Sequence, residues 1–133
     1  MPYGPRDPVL SVHIPQFAGP LSPQACDAAF ARTKEFFARH FAEDYHIATC
    51  NSWLLDEQLA EHLPDNSNII QFQRRFHSAY RPDDADADAM LFVFGRPGAE
   101  LDQLPRQTTL QRAIIDHQKA GRHWHGGVGW LLL

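Results

Sequence analysis

The order of patterned segments along this 133-residue chain predicts an α/β fold, in which helices pack on the faces of a mixed β-sheet. Near the start, LSVHIP alternates apolar and polar residues as a strand does. The next segment, LSPQACDAAFARTKEFFARHF, repeats its apolar residues at helical spacing. Strand and helix patterns continue to alternate along the rest of the chain, and its length suits one core built of both.

Proline and capping residues mark the expected boundaries. The first nine residues contain three prolines and a glycine, a composition typical of a linker. We therefore expect a proline-rich linker over residues 1–9 and a single domain over residues 10–133. Ser22 is the expected N-cap of the first helix, with Pro23 as its first residue. Thr108 and Gln111 have capping-box spacing, so a second long helix should begin there and end at Gly121.

Shorter segments fill the space between and after these helices. YHIATCNSWLL is predicted to be a strand that enters a turn, and a short helix should follow from Asp56 to the residue before Pro64. NIIQFQRRFH and AMLFVFG are predicted strands, with SAYRPDDADADA between them as a solvated hairpin loop. The final strand should carry Trp124, Val128, Trp130 and Leu132 on one face and point His123 and His125 the opposite way.

Composition excludes several classes of partner. The net charge is −4, and the 12 Lys and Arg residues are scattered rather than clustered, so neither a nucleic acid nor an anionic membrane is an expected partner. No apolar run approaches the roughly 18 residues of a membrane-spanning helix, and the first residues do not resemble an export signal. We expect a cytoplasmic protein in which Cys26 and Cys50 are reduced thiols.

Two metal motifs can be considered from spacing. Asp84, Asp86 and Asp88 have the opening spacing of a calcium loop, but Ala89 and Gly95 stand where that loop needs Gly and Glu, so we reject it. His123 and His125 share one side of the predicted last strand, and a zinc site would need a further ligand such as Asp116 or His117. The alternative is that both histidines pack on the second face of the sheet. We predict no metal.

Two strand-to-helix junctions could form a site. Cys50 or Ser52, beside Asn51, could be a nucleophile if a base lay next to it; alternatively Cys50 is buried and its polar neighbours satisfy the turn. At the earlier junction, QFAGPL leads into the first helix, whose N-terminal amides suit a phosphate, although an ordinary turn is the simpler interpretation from one glycine.

Several segments of the sequence resemble those of one known family. They are VHIP, the first helix, CNSWLLDEQLAEHLPDNSNIIQFQRRF, LPRQTTLQRAIIDHQKAG and the closing HWH and GWL. Over residues 8–133 they are similar to the C-terminal domain of bacterial GNAT-like acyltransferase-domain proteins. The resemblance implies the C-terminal half of a GNAT fold, with acyl transfer from acetyl-CoA or another acyl-CoA to a small amine acceptor and without a metal.

The resemblance also implies where the acyl-CoA binds. The pyrophosphate turn of GNAT enzymes corresponds to Gln16 and Gly19, followed by Leu21 and Ser22, although Pro20 removes one backbone donor and Leu21 stands where Gly or Ala is usual. HIATCN would be the strand that splays to admit the pantetheine arm. Mutation of Gly19 to a bulky residue should then abolish binding of CoA.

The resemblance further suggests catalytic residues. Asn51 would contact the cofactor, and His123 or His125 could accept the proton of the amine. The segment from Asp56 to Leu63 holds no tyrosine, so the acid that protonates the leaving thiolate is not identified. The Ser52 hydroxyl lies next to Asn51 in the sequence. The candidate catalytic residues are therefore Asn51, Ser52 and His125.

Two other functions compete with acyl transfer. Members of the family usually carry an N-terminal half, so this chain could need that partner domain or form a homodimer through an open sheet edge. A non-catalytic interaction module would use the aromatic surface around Trp53, Trp124 and Trp130. A metal-dependent hydrolase built on His123 and His125 is a more distant alternative.

Overall fold

The computed structural model describes residues 3–14, 21–96, 98 and 100–133, and it confirms the mixed α/β fold. The strands form one sheet in the order β1-β2-β4-β3, in which β1 is parallel to β2 and the other pairs are antiparallel. The strands are β1 (Leu10–Val12), β2 (Ile47–Ser52), β3 (His77–Asp84) and β4 (His125–Leu132). The helices are α1 (Pro23–His40), α2 (Asn68–Gln73), α3 (Asp86–Phe94) and α4 (Thr109–Lys119), with 3₁₀ segments at Trp53–Leu55, Glu57–Glu61 and Leu101–Gln103.

The capping residues correctly predicted where the two long helices begin. The Ser22 hydroxyl accepts a hydrogen bond from the Ala25 N–H at 3.1 Å, and Pro23 begins α1. Thr108 and Gln111 form the predicted capping box at the start of α4. Gly121 follows the end of α4 with φ 79°, a conformation that glycine adopts without strain.

The strand predicted over NIIQFQRRFH is wrong. Residues Asn68–Gln73 form α2, and β3 begins only at His77. The Ser67 hydroxyl caps this helix at the Ile70 N–H, 3.4 Å away. A short run of apolar residues fits both periods, and the cap at Ser67 is what distinguishes them.

The strand predicted over AMLFVFG and the hairpin loop before it are also wrong. AMLFVF lies in α3, while the first part of the supposed loop is β3, which pairs with β4. Asp86 and Asp88 lie in the first turn of α3, where carboxylates favour the positive end of the helix dipole. Gly95 ends the helix with φ 70°. The predicted short helix after Asp56 is a 3₁₀ segment, Glu57–Glu61.

The two faces of the sheet differ in burial. On one face Ala48, Cys50 and Leu131 pack against α1 through Cys26, together with Phe72 and Phe76. The other face carries the cross-strand row Ser11, Thr49, Trp130 and His77, all exposed or half-buried. We call this second surface the open face of the sheet.

The last strand alternates as predicted, but Val128, Trp130 and Leu132 do not lie on its packed face. Val128, Trp130 and Leu132 lie on the open face, and Leu132 is 67% exposed. Gly127 and Gly129 lie on the packed face, where the segment Trp53–Leu55 lies against the backbone of β4. Trp124 precedes β4 and is fully buried, in a second core cluster that contains residues of α3 and α4.

Candidate functional site

A cleft opens where β1 and β2 separate. Three residue pairs join the strands, the last being Val12 with Cys50. Beyond Val12, β1 ends, whereas β2 continues to Ser52 in register with β4. Residues 13 and 14 of the chain therefore face residues 51 and 52 without a ladder between them.

An apolar cavity of about 960 Å³ extends from this cleft. At the cleft it is lined by Val12, Ile14, Leu21, Leu54 and Phe92, and it continues along α1 past Ala29, Thr33 and Phe37. Pockets for small molecules and cofactors are of this size and are mostly apolar, with a few polar groups. Ser11, His13, Asn68 and Thr108 provide polar groups here.

The N-terminus of α1 lies at the same cavity, but most of its first amides are occupied. Pro23 has no N–H, the Ala25 N–H donates to the Ser22 hydroxyl, and the Cys26 N–H donates to the Ser22 carbonyl. Within the described part of the chain, the Gln24 N–H has no hydrogen-bond partner and is therefore available to a ligand. Of the predicted cofactor-binding residues, Leu21 lines the cavity and Ser22 caps the helix, while Gln16 and Gly19 lie outside the described residues.

The predicted catalytic residues lie on different faces of the sheet. Asn51 is exposed on the open face of β2. Ser52 points to the packed face, where its hydroxyl accepts a hydrogen bond from the Leu54 N–H at 3.1 Å. The backbone N–H of His125 donates to the buried carboxylate of Asp56 at 2.8 Å, and His125 shares the packed side of β4 with Gly127. These three residues do not form one constellation, and their catalytic roles stay predictions.

Cys50 has the properties of a core thiol. Its side chain is 1% exposed, and burial raises its pKa to about 11. Burial is also the largest cause that raises the pKa of Cys26. Because the thiolate is the nucleophilic form, these environments favour the interpretation of both cysteines as packing residues.

His123 and His125 do not converge on one point. His123 Nδ1 lies 2.6 Å from Asp86 Oδ2, and this hydrogen bond is the largest cause that raises the pKa of His123. The other Asp86 oxygen accepts the Trp124 N–H at 2.7 Å. The carboxylate thus fixes the His123 ring at the surface. Among the described residues, the groups of side chains that could hold a metal do not combine His123 with His125, the zinc motif that the sequence did not favour.

His13 is a candidate that sequence reasoning missed. It follows β1 directly, its side chain is exposed, and it contributes to the cavity lining at the point where the strands separate. Its Nε2 lies 3.2 Å from the Ser11 hydroxyl. By strand alternation, Ser11, His13 and Asn51 belong to the open face. The alternation of apolar and polar residues in VHIP could therefore have identified His13 as a residue of that face.

The separated parallel strands and the apolar cavity beside them define an α/β domain with a ligand-sized cleft at the end of its sheet. The chain belongs to the family of GNAT-like C-terminal domains, whose family model matches residues 2–131. No curated protein matches the chain significantly.

Solved acyltransferase structures share this fold. One, in complex with decanoyl-CoA, is 42% identical over 96% of this chain, with a TM-score of 0.89. A mutant acyltransferase in complex with octanoyl-CoA is 41% identical over 92% of the chain, with a TM-score of 0.86. A third structure, with decanoyl-CoA and teicoplanin, is 42% identical over 92% of the chain, with a TM-score of 0.85. The present chain spans 40% of the length of each of these proteins.

Proposed function

We propose that this chain is the acyl-CoA-binding part of an acyltransferase that acylates an amine. The observation that carries the proposal is the cleft between β1 and β2, which leads into an apolar cavity beside the N-terminus of α1. The cleft is open at the end of the sheet where Val12 and Cys50 form the last pair. Similar proteins in complex with decanoyl-CoA and octanoyl-CoA support this assignment.

The apolar lining favours an acyl chain longer than acetyl. Val12, Ile14, Leu54 and Phe92 offer no charge to a ligand, and the cavity continues along α1 beyond them. Each methylene buried against such a surface contributes about 0.8 kcal/mol. We therefore expect decanoyl-CoA and octanoyl-CoA to bind more tightly than acetyl-CoA. The phosphates of CoA would lie at the start of α1, near Leu21 and Ser22. Gln16 and Gly19 stay predicted phosphate-binding residues.

The reaction needs an oriented amine and a proton acceptor. The neutral amine attacks the thioester carbonyl carbon, the C–N bond forms, and the C–S bond breaks. CoA leaves as a thiolate that takes up a proton, and the proton of the attacking nitrogen passes to a base. Positioning of the two reactants and removal of that proton supply the rate enhancement.

We assign the role of base to His13, since it is the exposed imidazole at the point where the cleft opens. A neutral imidazole is competent near pH 7, and the neighbouring Ser11 hydroxyl orients the ring. Asn51, on the adjacent strand and the same face, would hold the amine or the thioester carbonyl. The proposed acceptor is an amine, and teicoplanin, present with decanoyl-CoA in the structure of one similar protein, is the first acceptor to examine.

Calorimetric titration with CoA, acetyl-CoA, octanoyl-CoA and decanoyl-CoA tests the proposed ligand. We expect the affinity to increase with chain length, because only the acyl carbons differ along this series. A folded protein that bound none of the four, or bound all four equally, would contradict the proposal.

Thiol release from decanoyl-CoA in the presence of teicoplanin, the acceptor chosen from a similar protein, tests the base. We expect His13→Asn to reduce turnover roughly 10²–10⁴-fold while the affinity for decanoyl-CoA is kept. His77→Asn, on the same open face but at the opposite edge strand, is the control. Equal loss in both variants would exclude a specific role for His13.

The open face favours one alternative function, a non-catalytic interaction module. Trp130 stacks on His77 there at 4.2 Å, and Leu132 is largely exposed. The aromatic surface predicted for this module needs correction, because Trp53 and Trp124 are buried in the core. A dimer mass in solution that Trp130→Ala reduces to a monomer, together with no affinity for any acyl-CoA, would favour the module.

A further inference from the structure

Two imidazoles and a carboxylate meet outside the acyl-CoA cleft. His62 Nε2 lies 3.0 Å from His117 Nδ1, and a carboxylate oxygen of Glu61 lies within 4.8 Å of one ring nitrogen of each histidine. Glu61 and His62 lie at the end of the second 3₁₀ segment, and His117 lies in the last turn of α4. Elements far apart in the chain thus bring their ligand atoms to one point.

His117 presents its Nδ1 lone pair to that point. The residue is 1% exposed, and its ring stacks on Trp124 with centroids 4.0 Å apart. Its Nε2 lies 3.2 Å from the His123 carbonyl oxygen, which can only accept, so Nε2 carries the proton. Metal-bound histidines usually donate their second ring N–H to a carbonyl or carboxylate in this way, which fixes the ring and the tautomer.

Glu61 is held in place by Arg122, whose guanidinium donates to both carboxylate oxygens at 2.6 and 3.2 Å. A carboxylate has about four lone-pair positions, so this ion pair leaves acceptor capacity for a further ligand. Arg122 also donates to the Gln58 side chain at 3.0 Å, which ties it to the same 3₁₀ segment. The arginine therefore orients the carboxylate as an outer-shell partner does.

We propose that Glu61, His62 and His117 form a zinc-binding site. Two imidazole nitrogens and one carboxylate oxygen are a ligand set that Zn²⁺ accepts, with water in the fourth position. Zn–N bonds of about 2.0–2.1 Å place two nitrogens roughly 3.4 Å apart at tetrahedral geometry. The present separation of 3.0 Å needs a change of only a few tenths of an ångström. The expectation of no metal rests on His123 and His125, on the rejected calcium loop and on the family resemblance, none of which concerns Glu61 or His62.

The competing explanation is a simple hydrogen bond, in which His62 Nε2–H donates to His117 Nδ1. Zinc would replace that hydrogen bond without oxidation or reduction. The proton on His62 Nε2 would move to Nδ1 of the same ring. The His62 ring would therefore stay neutral while its Nε2 binds the ion. The zinc site needs both Glu61 and an ion, whereas the hydrogen bond between the two histidines needs neither.

The position of the site suggests a structural role. An ion there would join the second 3₁₀ segment to the end of α4, next to the residues that begin β4. A ligand that binds only the folded chain stabilises it by mass action, so zinc should raise the melting temperature. This role is independent of acyl-CoA binding, and its failure would leave the proposed function untouched.

Zinc titration of the chelator-treated full chain tests the site. We expect one ion per chain with a dissociation constant in the micromolar range or below, and no comparable binding of Mg²⁺, which prefers oxygen ligands. His62→Gln and Glu61→Gln should each weaken zinc binding about tenfold or more. His77→Gln and Glu57→Gln, exposed residues of the same types, are the matched controls and should bind as the wild type does.

Co²⁺ provides a second measurement that a hydrogen bond alone cannot imitate. Cobalt bound in place of zinc should give visible absorption of a tetrahedral site in the wild type and lose it in His62→Gln. His62 is half-buried, so its variant should fold where a variant of the buried His117 could fail to. A folded wild type that takes up no zinc, or zinc affinity unchanged in both ligand variants, would overturn the proposal.

Discussion

Asp56 organises the region around the end of the sheet from a fully buried position. Its carboxylate accepts hydrogen bonds from the Gln58 N–H, the Gln58 side-chain amide and the His125 N–H, all between 2.8 and 2.9 Å. A buried carboxylate is tolerated when its lone pairs are satisfied in this way. Asp56 therefore joins the second 3₁₀ segment to the first residue of β4.

Replacement of Asp56 by Asn should destabilise the fold. The amide keeps the shape but turns an –NH₂ group toward donors, and a buried polar group without a partner costs roughly 1–3 kcal/mol. Denaturant unfolding of Asp56→Asn measures this loss. Asp65→Asn, whose carboxylate is 88% exposed, is the control and should unfold as the wild type does. Equal stability of the two variants would show that the Asp56 network is not important for the fold.

His123 should titrate above the usual pKa of a histidine. The hydrogen bond to Asp86 is the first cause, followed by the charge of that carboxylate. Because the folded pKa is raised, the stabilisation from this pair is fully present below the unfolded value of 6.5 and is lost as pH rises through the folded pKa. Proton NMR of the ring should show this raised pKa, and Asp86→Asn should lower it. An unchanged pKa in Asp86→Asn would contradict the assignment.

At the scale of elements, caps predicted helices where apolar patterns alone did not. Ser22 with Pro23, and Thr108 with Gln111, marked the starts of α1 and α4 correctly. The sequences of α2 and α3 have short apolar runs that fit a strand as well as a helix. For such runs the periods of 2 and 3.6 are not distinguishable. The Ser67 cap marks α2 as a helix, whereas α3 has no side-chain cap and depends on tertiary packing.

The contact of β4 with the segment Trp53–Leu55 depends on glycine. A Cβ atom at Gly127 would lie 2.6 Å from Leu55 Cβ and 2.9 Å from the Leu55 carbonyl oxygen, so backbone would have to move. Gly127→Ala should therefore destabilise the protein by roughly 1–3 kcal/mol, the usual range for overpacking. Thermal unfolding measures the change, with Gly4→Ala as the control, because its nearest neighbour would be 3.8 Å away. A Gly127→Ala variant as stable as Gly4→Ala would show that the contact is looser than described.

At the scale of the whole molecule, the sequence predicted the fold class but only part of the site. Leu21 and Ser22 were placed at the junction that borders the cavity. The catalytic set was not assembled, because the alternation of β2 separates Asn51 from Ser52 and only the register with β4 shows which face is packed. The end of the β1–β2 ladder at Val12, which opens the cleft and exposes His13, depends on pairing between distant segments.

None of the helices among the described residues is long and apolar enough to cross a membrane. The exposed apolar surface of the molecule is instead divided among a few places, including Phe36 and Phe41 at the end of α1 and Leu132 on the open face. A further apolar surface is the lining of the cavity along α1, which has a volume of about 960 Å³.

The central claim is that acyl-CoA occupies the cavity beside α1, and binding of decanoyl-CoA to two tryptophan variants tests it most directly. Ala29 is exposed and lines the cavity, whereas its neighbour Ala28 is also exposed but is not a lining residue. Ala29→Trp should fill the cavity and weaken decanoyl-CoA about tenfold or more, while Ala28→Trp should bind as the wild type does. Equal affinity of both variants would place the acyl-CoA elsewhere and contradict the account.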